Sequence, residues 1–293
     1  MIDRRTFVGR ALATSALGPL AIHHLAAERA TAAQDDPPAD RAVRVAIRSR
    51  ERAPGAESAT EKTGQRELAA PQTAILICDM WNQHWCRSAT RRCGELAEKM
   101  APLVDQARAR GLRIVHSPSD TLDFYRDHPA RQRALAVPAA VPPTPITGGC
   151  PLEKSREGSL PIDDSDGGCD CQPQCKNYKA WTREHPAIPI AEIDLISDNG
   201  QEVYNYFVQQ GIKNVLYVGV HTNMCVLGRS FGIRQMTRLG FNTLLVRDLT
   251  DTMYNPRQRP FVEHAAGTEL VVKHIEEHWC PTLVSRSLAE GLR

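Results

Sequence analysis

Cys225 follows a short apolar segment whose composition predicts a buried β-strand. Residues 215–220 read VLYVGV, and such β-branched runs are typical of the interior of a parallel sheet. Thr222 and Asn223 are good helix N-cap residues, and apolar residues at helical spacing continue to Leu239. A cysteine in a first helical turn meets unpaired N–H groups and the positive end of the helix dipole. This placement predicts a lowered thiol pKa and a nucleophile, with a buried structural cysteine as the alternative.

Asp79 closes a second apolar segment, residues 73–79, which read TAILICD. In open α/β sheets, binding sites form at the carboxyl ends of the strands. We therefore expect Asp79 and Cys225 to meet at one edge of a sheet, where the carboxylate can act as a base for the thiol. The alternative for Asp79 is a helix cap or a loop hydrogen bond.

Two motifs carry a family resemblance: ILICDMWNQ, which begins at Ile75, and GVHTNMCV, which begins at Gly219. They resemble the isochorismatase-like cysteine hydrolases, a superfamily that includes nicotinamidases, carbamoylsarcosine amidases and ureidoacrylate amidohydrolases. The resemblance covers residues 71–284, apart from a long insertion. It implies a catalytic Asp, Lys and Cys, of which Asp79 matches the Asp and Cys225 the nucleophile.

The resemblance also implies roles for the turn around the nucleophile. The N–H groups of Met224 and Cys225 would receive the oxyanion, and His221, Thr222 and Asn223 would form the turn. In this family a cis peptide often precedes the turn, and the matching bond joins residues 220 and 221.

The family's lysine has no direct match in this chain. Residues 179–186 read KAWTREHP, and the best register places Arg183 at the lysine position. Lys179 is the rival, because in an extended strand it shares a face with Arg183. An arginine can hold a thiolate and pair with Asp79 but does not readily exchange a proton. A surface basic residue is the alternative for either one.

The resemblance places the substrate pocket after the Asp. Trp81 and Trp85 are expected pocket walls, His84 an expected polar contact, and Tyr254 a further contact from a later loop. A loop packed by its own tryptophans, or a structural loop in the case of Tyr254, is the alternative.

A catalytic metal is weakly indicated. Metal-dependent nicotinamidases carry D-x-H after the second strand, where Asp120 matches the Asp but Leu122 replaces the His. His116 and Asp120 are thus weak ligand candidates. Hydrolysis by a thiol needs no metal, so no cofactor is expected.

The N-terminus resembles a twin-arginine export signal. Arg4 and Arg5 precede Thr6-Phe7-Val8 and a modestly apolar, Ala-rich stretch that is too weak for a spanning helix. An A-x-A cleavage site ends at Ala32. We therefore expect a bacterial protein that is exported already folded to the periplasm or outside the cell.

The predicted organisation has four parts. Residues 1–32 are the signal peptide, 33–70 a flexible linker in which Val43 to Ile47 could form a short edge strand, 71–285 the hydrolase domain and 286–293 a C-terminal tail. Strands alternating with helices predict a doubly wound α/β fold. The resemblance implies a three-layer α/β/α arrangement around a mainly parallel six-stranded sheet. The insertion, residues 121–179, is too long for an ordinary connection.

Nine cysteines in an exported chain favour disulfides. Cys86–Cys93 is one close pair, and two bridges inside the insertion are expected among its cysteines, which are Cys150, Cys169, Cys171 and Cys175. A structural zinc site in the insertion is the rival, although C-x-C-x-x-x-C differs from the usual paired C-x-x-C spacing.

These patterns predict an exported hydrolase, an amidohydrolase acting on small non-peptide C–N bonds. The alternatives are a non-catalytic binding or structural protein on the same fold and an isochorismatase-type ether hydrolase. A net charge of +2 favours neither nucleic acid nor a membrane as partner after signal removal. The expected partner is a small-molecule substrate, and the resemblance implies a homo-oligomer.

Overall fold

A computed structural model describes residues 42–293, which form one eight-stranded sheet with the strand order β2-β1-β8-β7-β6-β3-β4-β5. The strands are β1 (Ala42–Glu51), β2 (Thr60–Ala69), β3 (Thr73–Cys78), β4 (Arg113–Ser117), β5 (Leu195–Ile196), β6 (Asn214–Val220), β7 (Asn242–Asp251) and β8 (Thr282–Leu283). From β8 to β5 every neighbouring pair is parallel. The predicted mainly parallel six-stranded sheet is confirmed, and β1 and β2 extend it as an antiparallel pair.

Helices cover both faces of the sheet. They are α1 (Arg87–Arg110), α2 (Pro129–Ala136), α3 (Lys154–Glu157), α4 (Gly200–Gln209), α5 (Ile233–Arg238), α6 (His264–His278) and α7 (Ser285–Gly291). Alternate residues of the strands point to opposite faces, so Ile75 and Ile77 pack with α1 and α7 whereas Leu76 packs with α4, α5 and α6. The three-layer α/β/α prediction is confirmed.

The segment predicted as a flexible linker is instead largely the β1–β2 hairpin. Val43 and Val45 point into the core, while most of β2 is exposed and polar, as is common for an edge strand. Arg48 and Arg50 anchor the hairpin through ion pairs to the fully buried carboxylate of Glu276. The charged residues that suggested a linker thus lie in an edge hairpin, where they form ion pairs.

The predicted C-terminal tail also differs from the structure, because α7 occupies most of it. Leu288 is fully buried against the α1 face of the sheet. The predicted signal peptide, its cleavage site and the first residues of the predicted linker lie outside the described residues and stay predictions. Between residues 42 and 293, no helix is both long enough and apolar enough to cross a membrane.

The insertion packs tightly onto the domain. Its helix α3 places Glu157 in the interior, where the carboxylate accepts hydrogen bonds from Arg234 (2.7 and 2.9 Å), His274 (2.9 Å) and Trp279 (2.8 Å). Although burial alone would raise it, these hydrogen bonds lower the pKa of Glu157 to about 2. The insertion is therefore joined to α5 and α6 by a buried ionised carboxylate.

Candidate active site

The carboxyl ends of β3, β4 and β6 meet at one edge of the sheet. Cys78 at the end of β3 is paired with Ser117 of β4 on one side and with Gly219 of β6 on the other. Gly219 has φ +105°, and a Cβ there would lie 2.1 Å from the carbonyl oxygen of Cys78. A glycine is therefore required for this close approach, which brings the residues after β3 and β6 together.

Asp79 is fully buried at this edge, and its φ of +46° is a left-handed conformation that costs energy outside glycine. Its Oδ1 accepts a hydrogen bond from the Ser119 N–H at 2.8 Å, and its Oδ2 accepts one from Arg229 Nε at 3.1 Å. The Cys225 thiol lies near the same carboxylate, whose negative charge raises the thiol pKa. The expected meeting of Asp79 and Cys225 is thus what the structure shows.

The thiol pKa of Cys225 is raised, whereas the sequence predicted that it would be lowered. Burial of the thiol and the negative charge of Asp79 raise it, and together they outweigh the opposing charge of Arg229. Burial likewise raises the pKa of Asp79 above the usual carboxyl range, although Arg229 opposes this shift. The resting Cys225 is therefore a thiol that lies near Asp79.

The cation of the site is Arg229, which the sequence analysis did not single out. It lies four residues after Cys225, one helical turn away on the same face, and this spacing was the available signal. Burial would lower its pKa, but the charge of Asp79 raises it above the ordinary value, so the guanidinium stays protonated. Among the described residues its terminal amino groups have no protein acceptor.

The helix predicted to run from Cys225 to Leu239 is broken. Residues Thr222–Val226 form a π-helical turn, and α5 begins only at Ile233. At the break, Gly149 of the insertion forms a β-bridge with Arg229, and the Gly228 carbonyl accepts the Cys150 N–H. Cys225 therefore does not begin a regular α-helix, and the insertion contacts the chain where the helix is broken.

Neither basic residue predicted for the lysine position reaches Asp79 or Cys225 in the described part of the chain. The Arg183 guanidinium lies over the ring of Phe124, and Lys179 Nζ donates to the Asp120 carbonyl at 2.8 Å. Both residues are exposed. Because neighbouring residues of an extended segment face opposite ways, burial of Glu184 turns Arg183 outward.

The turn residues hold Cys225 in place. The peptide bond between Val220 and His221 is cis, as the resemblance implied. Thr222 bonds to Thr250 (2.6 Å) and Asn223 bonds to Met253, so the turn is fixed to the end of β7.

Within the turn, the His221 ring is neutral and the Met224 N–H, which was expected to receive the oxyanion, is already used. Burial, together with the charge of His84, lowers the pKa of His221 to about 3, so His221 is neutral. The Met224 N–H donates to the His221 carbonyl at 3.0 Å, which leaves it unavailable for the predicted oxyanion role in this conformation.

The predicted pocket residues form a packed aromatic group instead of a cleft wall. Trp81 stacks on Trp181 with ring centroids 4.3 Å apart, and His84 stacks beside them. Trp85 contacts His84, while Tyr254 is fully buried and donates to the Gln258 carbonyl. None of the four predicted residues lines the cleft beside Cys225 that is described next.

A cleft of about 990 Å³ opens beside Cys225, at the upper end of the usual ligand-pocket range. One wall is the nucleophile turn and the residues after it, and the other is the insertion. The lining residues that could contact a substrate are Asp163, Asp164, Asn223, Cys225, Arg229 and Arg234. The insertion therefore supplies much of the binding surface.

The weak metal candidates His116 and Asp120 are not brought together as a site. Both ring nitrogens of His116 are used, one by Glu184 at 3.0 Å and the other by Asp194 at 3.1 Å. Burial would lower the pKa of His116, but the charge of Glu184 and the hydrogen bonds to Asp194 and Glu184 raise it to about 9. His116 is thus a buried imidazolium between two carboxylates, while the side chain of Asp120 is exposed.

This histidine predicts an alkaline loss of stability. Its folded-state pKa of about 9 lies above the ordinary 6.5, so its contribution is complete below pH 6.5 and is lost as the pH rises through 9. We expect the free energy of unfolding in urea to fall by roughly 3 kcal/mol over this window. In His116→Gln, the free energy of unfolding should depend much less on pH over this window. An equal pH dependence in both proteins would show that His116 is not the titrating group.

The predicted disulfides are absent from the structure, in which all nine cysteines are free thiols. In the proposed Cys86–Cys93 pair, Cys93 instead donates to the Trp81 carbonyl at 3.4 Å, and the Cys86 sulfur faces Cys171. Cys150 lies beside Arg238, away from its expected partners in the insertion. The pairing expected from composition is therefore not formed.

Comparison with known proteins gives only distant structural similarity. No family model matches the chain, and no curated protein matches it. A cysteine hydrolase from Pseudomonas syringae pv. phaseolicola 1448A is 12% identical with a TM-score of 0.47, covering 77% of this chain and 94% of that one. An isochorismatase-like hydrolase from Alkaliphilus metalliredigens is 16% identical with a TM-score of 0.43, covering 76% and 98%.

An isochorismatase family protein from Burkholderia thailandensis is also 16% identical, with a TM-score of 0.42 and coverage of 76% and 96%. All three TM-scores are below 0.5.

Proposed function

We propose that this protein is a cysteine hydrolase that cleaves small amides or related C–N bonds. The observation that carries the proposal is the place of the Cys225 thiol at the wall of a cleft, near the buried carboxylate of Asp79 that Arg229 binds at 3.1 Å. A nucleophile within hydrogen-bond reach of a base that a third group orients is the arrangement that covalent catalysis requires.

In the first half of the reaction, the Cys225 sulfur attacks the carbonyl carbon while Asp79 takes the thiol proton. Proton transfer is concerted with attack, because the raised thiol pKa leaves little free thiolate at neutral pH. The C–N bond then breaks, Asp79 returns the proton to the leaving nitrogen, and a thioester remains on Cys225.

In the second half, a water molecule attacks the thioester and Asp79 takes its proton. The thiol is then regenerated as the acid leaves. Asp79 must take up and release a proton in each half of the reaction. Its raised pKa suits this role, because the protonated and ionised forms then differ less in free energy at neutral pH.

Arg229 replaces the charge of the family lysine but not its proton chemistry. Its Nε holds Asp79, and its terminal amino groups are placed to stabilise the oxyanion that forms on the carbonyl. All proton transfer in this proposal therefore belongs to Asp79, because an arginine does not deprotonate in proteins.

The test is a panel of small amides and ureido compounds, followed by ammonia or amine release and by mass spectrometry of Cys225. We expect turnover of at least one compound, a thioester mass on the peptide that contains Cys225, and loss of both in Cys225→Ala. Cys280→Ser changes a buried cysteine outside the cleft and should keep both signals.

Other outcomes would distinguish the alternatives. Turnover of an ether substrate that survives Cys225→Ala would favour the isochorismatase type of reaction. Tight binding of panel compounds without turnover would favour a binding protein. Export and self-association stay predictions that this experiment does not address.

A further inference from the structure

Four cysteines from two distant segments converge outside the active site. Cys86 directly precedes α1, whereas Cys169, Cys171 and Cys175 belong to the insertion. We call these residues the four-cysteine cluster.

The sulfurs of Cys86, Cys169 and Cys171 all lie within 4.8 Å of one another, and those of Cys86 and Cys171 are 3.8 Å apart. Cys175 packs against the same group of residues, although its sulfur is outside this set of three. Three sulfurs are therefore close enough to share one ion, with a fourth cysteine beside them.

We propose that the four-cysteine cluster binds one zinc ion, or another cation that prefers tetrahedral thiolate ligands, as a structural site. With Zn–S bonds of about 2.3 Å, the edge of a regular ZnS₄ tetrahedron is about 3.8 Å. This edge equals the observed Cys86–Cys171 separation of 3.8 Å. A disulfide would instead place two sulfurs about 2.05 Å apart.

The surroundings suit the negative charge of such a centre, since four thiolates around a dication carry a net charge of about −2. Arg87, Arg91 and Arg257 line the cavity that borders Cys171, and Arg257 donates to the Cys171 carbonyl at 3.2 Å. The Ser88 hydroxyl is 3.1 Å from the Cys171 sulfur and can donate to it. Such outer hydrogen bonds orient metal ligands and stabilise bound thiolates.

One carboxylate also borders the cluster. Asp170 Oδ1 is 3.8 Å from the Cys86 sulfur, but its Oδ2 is paired with Arg92 at 2.8 Å. The guanidinium therefore holds Asp170 away from the centre of the cluster, which leaves four sulfurs as the donor set.

The four cysteines are brought together because the insertion packs closely against the backbone of Met253. Gly168, just before Cys169, has φ +70°, and a Cβ there would lie 2.3 Å from the Met253 backbone. Met253, Met224 and Trp85 then pack around the sulfurs as an apolar shell. Two ligands are buried, and the other two are only partly exposed.

A metal here would fix one wall of the active-site cleft. Met224 packs against the cluster and directly precedes Cys225, while Asn223 donates to Asp164 of the insertion at 2.8 Å. The ion would join the insertion to the start of α1 next to the nucleophile turn. We therefore expect its removal to loosen the insertion.

The first measurement is the zinc content of the full-length chain purified without added metal or chelator. We expect about one zinc per chain, and nine titratable thiols after denaturation without reductant. Replacing the zinc with cobalt should give the visible absorption of a tetrahedral thiolate site. Four fewer thiols, as in two disulfides, would overturn the proposal, and so would nine thiols without any bound metal.

Variants locate the site. Cys171→Ser should reduce the zinc content and remove the cobalt spectrum, whereas Cys280→Ser replaces a buried cysteine outside the cluster and should change neither. Full zinc retention in both Cys171→Ser and Cys175→Ser would overturn the assignment. Cys225→Ala should keep the metal, so this result is independent of whether the protein hydrolyses amides. If a variant does not fold, the wild-type stoichiometry, spectrum and thiol count still decide the question.

Discussion

Asp79→Asn should reduce hydrolysis by roughly two to four orders of magnitude while making Cys225 react faster with iodoacetamide. Loss of the base accounts for the first effect, because positioned acid–base groups contribute about 10²–10⁴ in rate. The second effect follows from charge. Burial and the charge of Asp79 raise the thiol pKa and Arg229 lowers it, so removing the carboxylate leaves the cation opposed by burial alone.

The expected acceleration of alkylation at neutral pH is about tenfold or more. Two unit charges about 4 Å apart interact by about 4 kcal/mol at the effective dielectric of a protein, which exceeds the roughly 1.4 kcal/mol of one pKa unit. Arg229→Gln should act in the opposite direction and slow alkylation, although it too should reduce hydrolysis. Opposite changes in the same thiol would show that both charges act on it.

Asp120→Asn is the matched control. Asp120 also follows a strand and has a left-handed φ of +62°, a conformation that asparagine tolerates, but its side chain is exposed. Neither hydrolysis nor alkylation should change by more than a few-fold. If Asp79→Asn kept full activity, or slowed alkylation, Asp79 would not be the partner of the nucleophile.

Glu157→Ala should lower the free energy of unfolding by about 3–5 kcal/mol, the usual cost of removing one partner from a buried ion pair. The substitution leaves Arg234 in the interior without its carboxylate, and it deprives His274 and Trp279 of their acceptor. Urea unfolding at neutral pH, where Glu157 is ionised, measures the loss.

Glu153→Ala is the control from the residue that directly precedes the same short helix. Glu153 pairs with Arg238 near the surface, with about a third of each side chain exposed, so we expect less than about 1 kcal/mol. Because Arg234 also lines the cleft, Glu157→Ala should weaken substrate binding as well. Equal losses in the two variants would show that the buried network contributes little to attaching the insertion.

The sequence was sufficient for the main parallel strands and for bringing Asp79 and Cys225 to one edge of the sheet. Buried parallel strands are continuous apolar runs, and β3 and β6 are both of this kind, so their ends could be located. Asp79 and Cys225 each follow such an end within a few residues. Parallel strands place their carboxyl ends at the same edge of the sheet, so Asp79 and Cys225 could be expected to lie close together.

A short edge strand from Val43 to Ile47 could be expected, but the full β1–β2 hairpin could not, because its stabilising contacts are distant in the sequence. Its own residues are charged and only partly apolar, whereas Arg48 and Arg50 find their partner at Glu276, more than two hundred positions away. Local composition does not report such a pairing.

The tertiary structure alone decided the electrostatics of the site and the role of the insertion. Placement in a first helical turn predicted a lowered thiol pKa, but burial against Asp79 raises it. Aligning the sequence with the family's lysine could not identify the cation of the site. Arg183 is exposed and Arg229 is half-buried, and this difference depends on the direction in which the folded backbone points each side chain.

The same limit applied to the cysteines. Spacing within the insertion gave no zinc motif, since the fourth thiol of the cluster, Cys86, comes from a different segment. What the sequence by itself determined was therefore the strands and the residues that follow them, because local hydrophobic patterning specifies both. Which charges and thiols surround those residues depends on contacts between distant segments, and only the folded chain decides them.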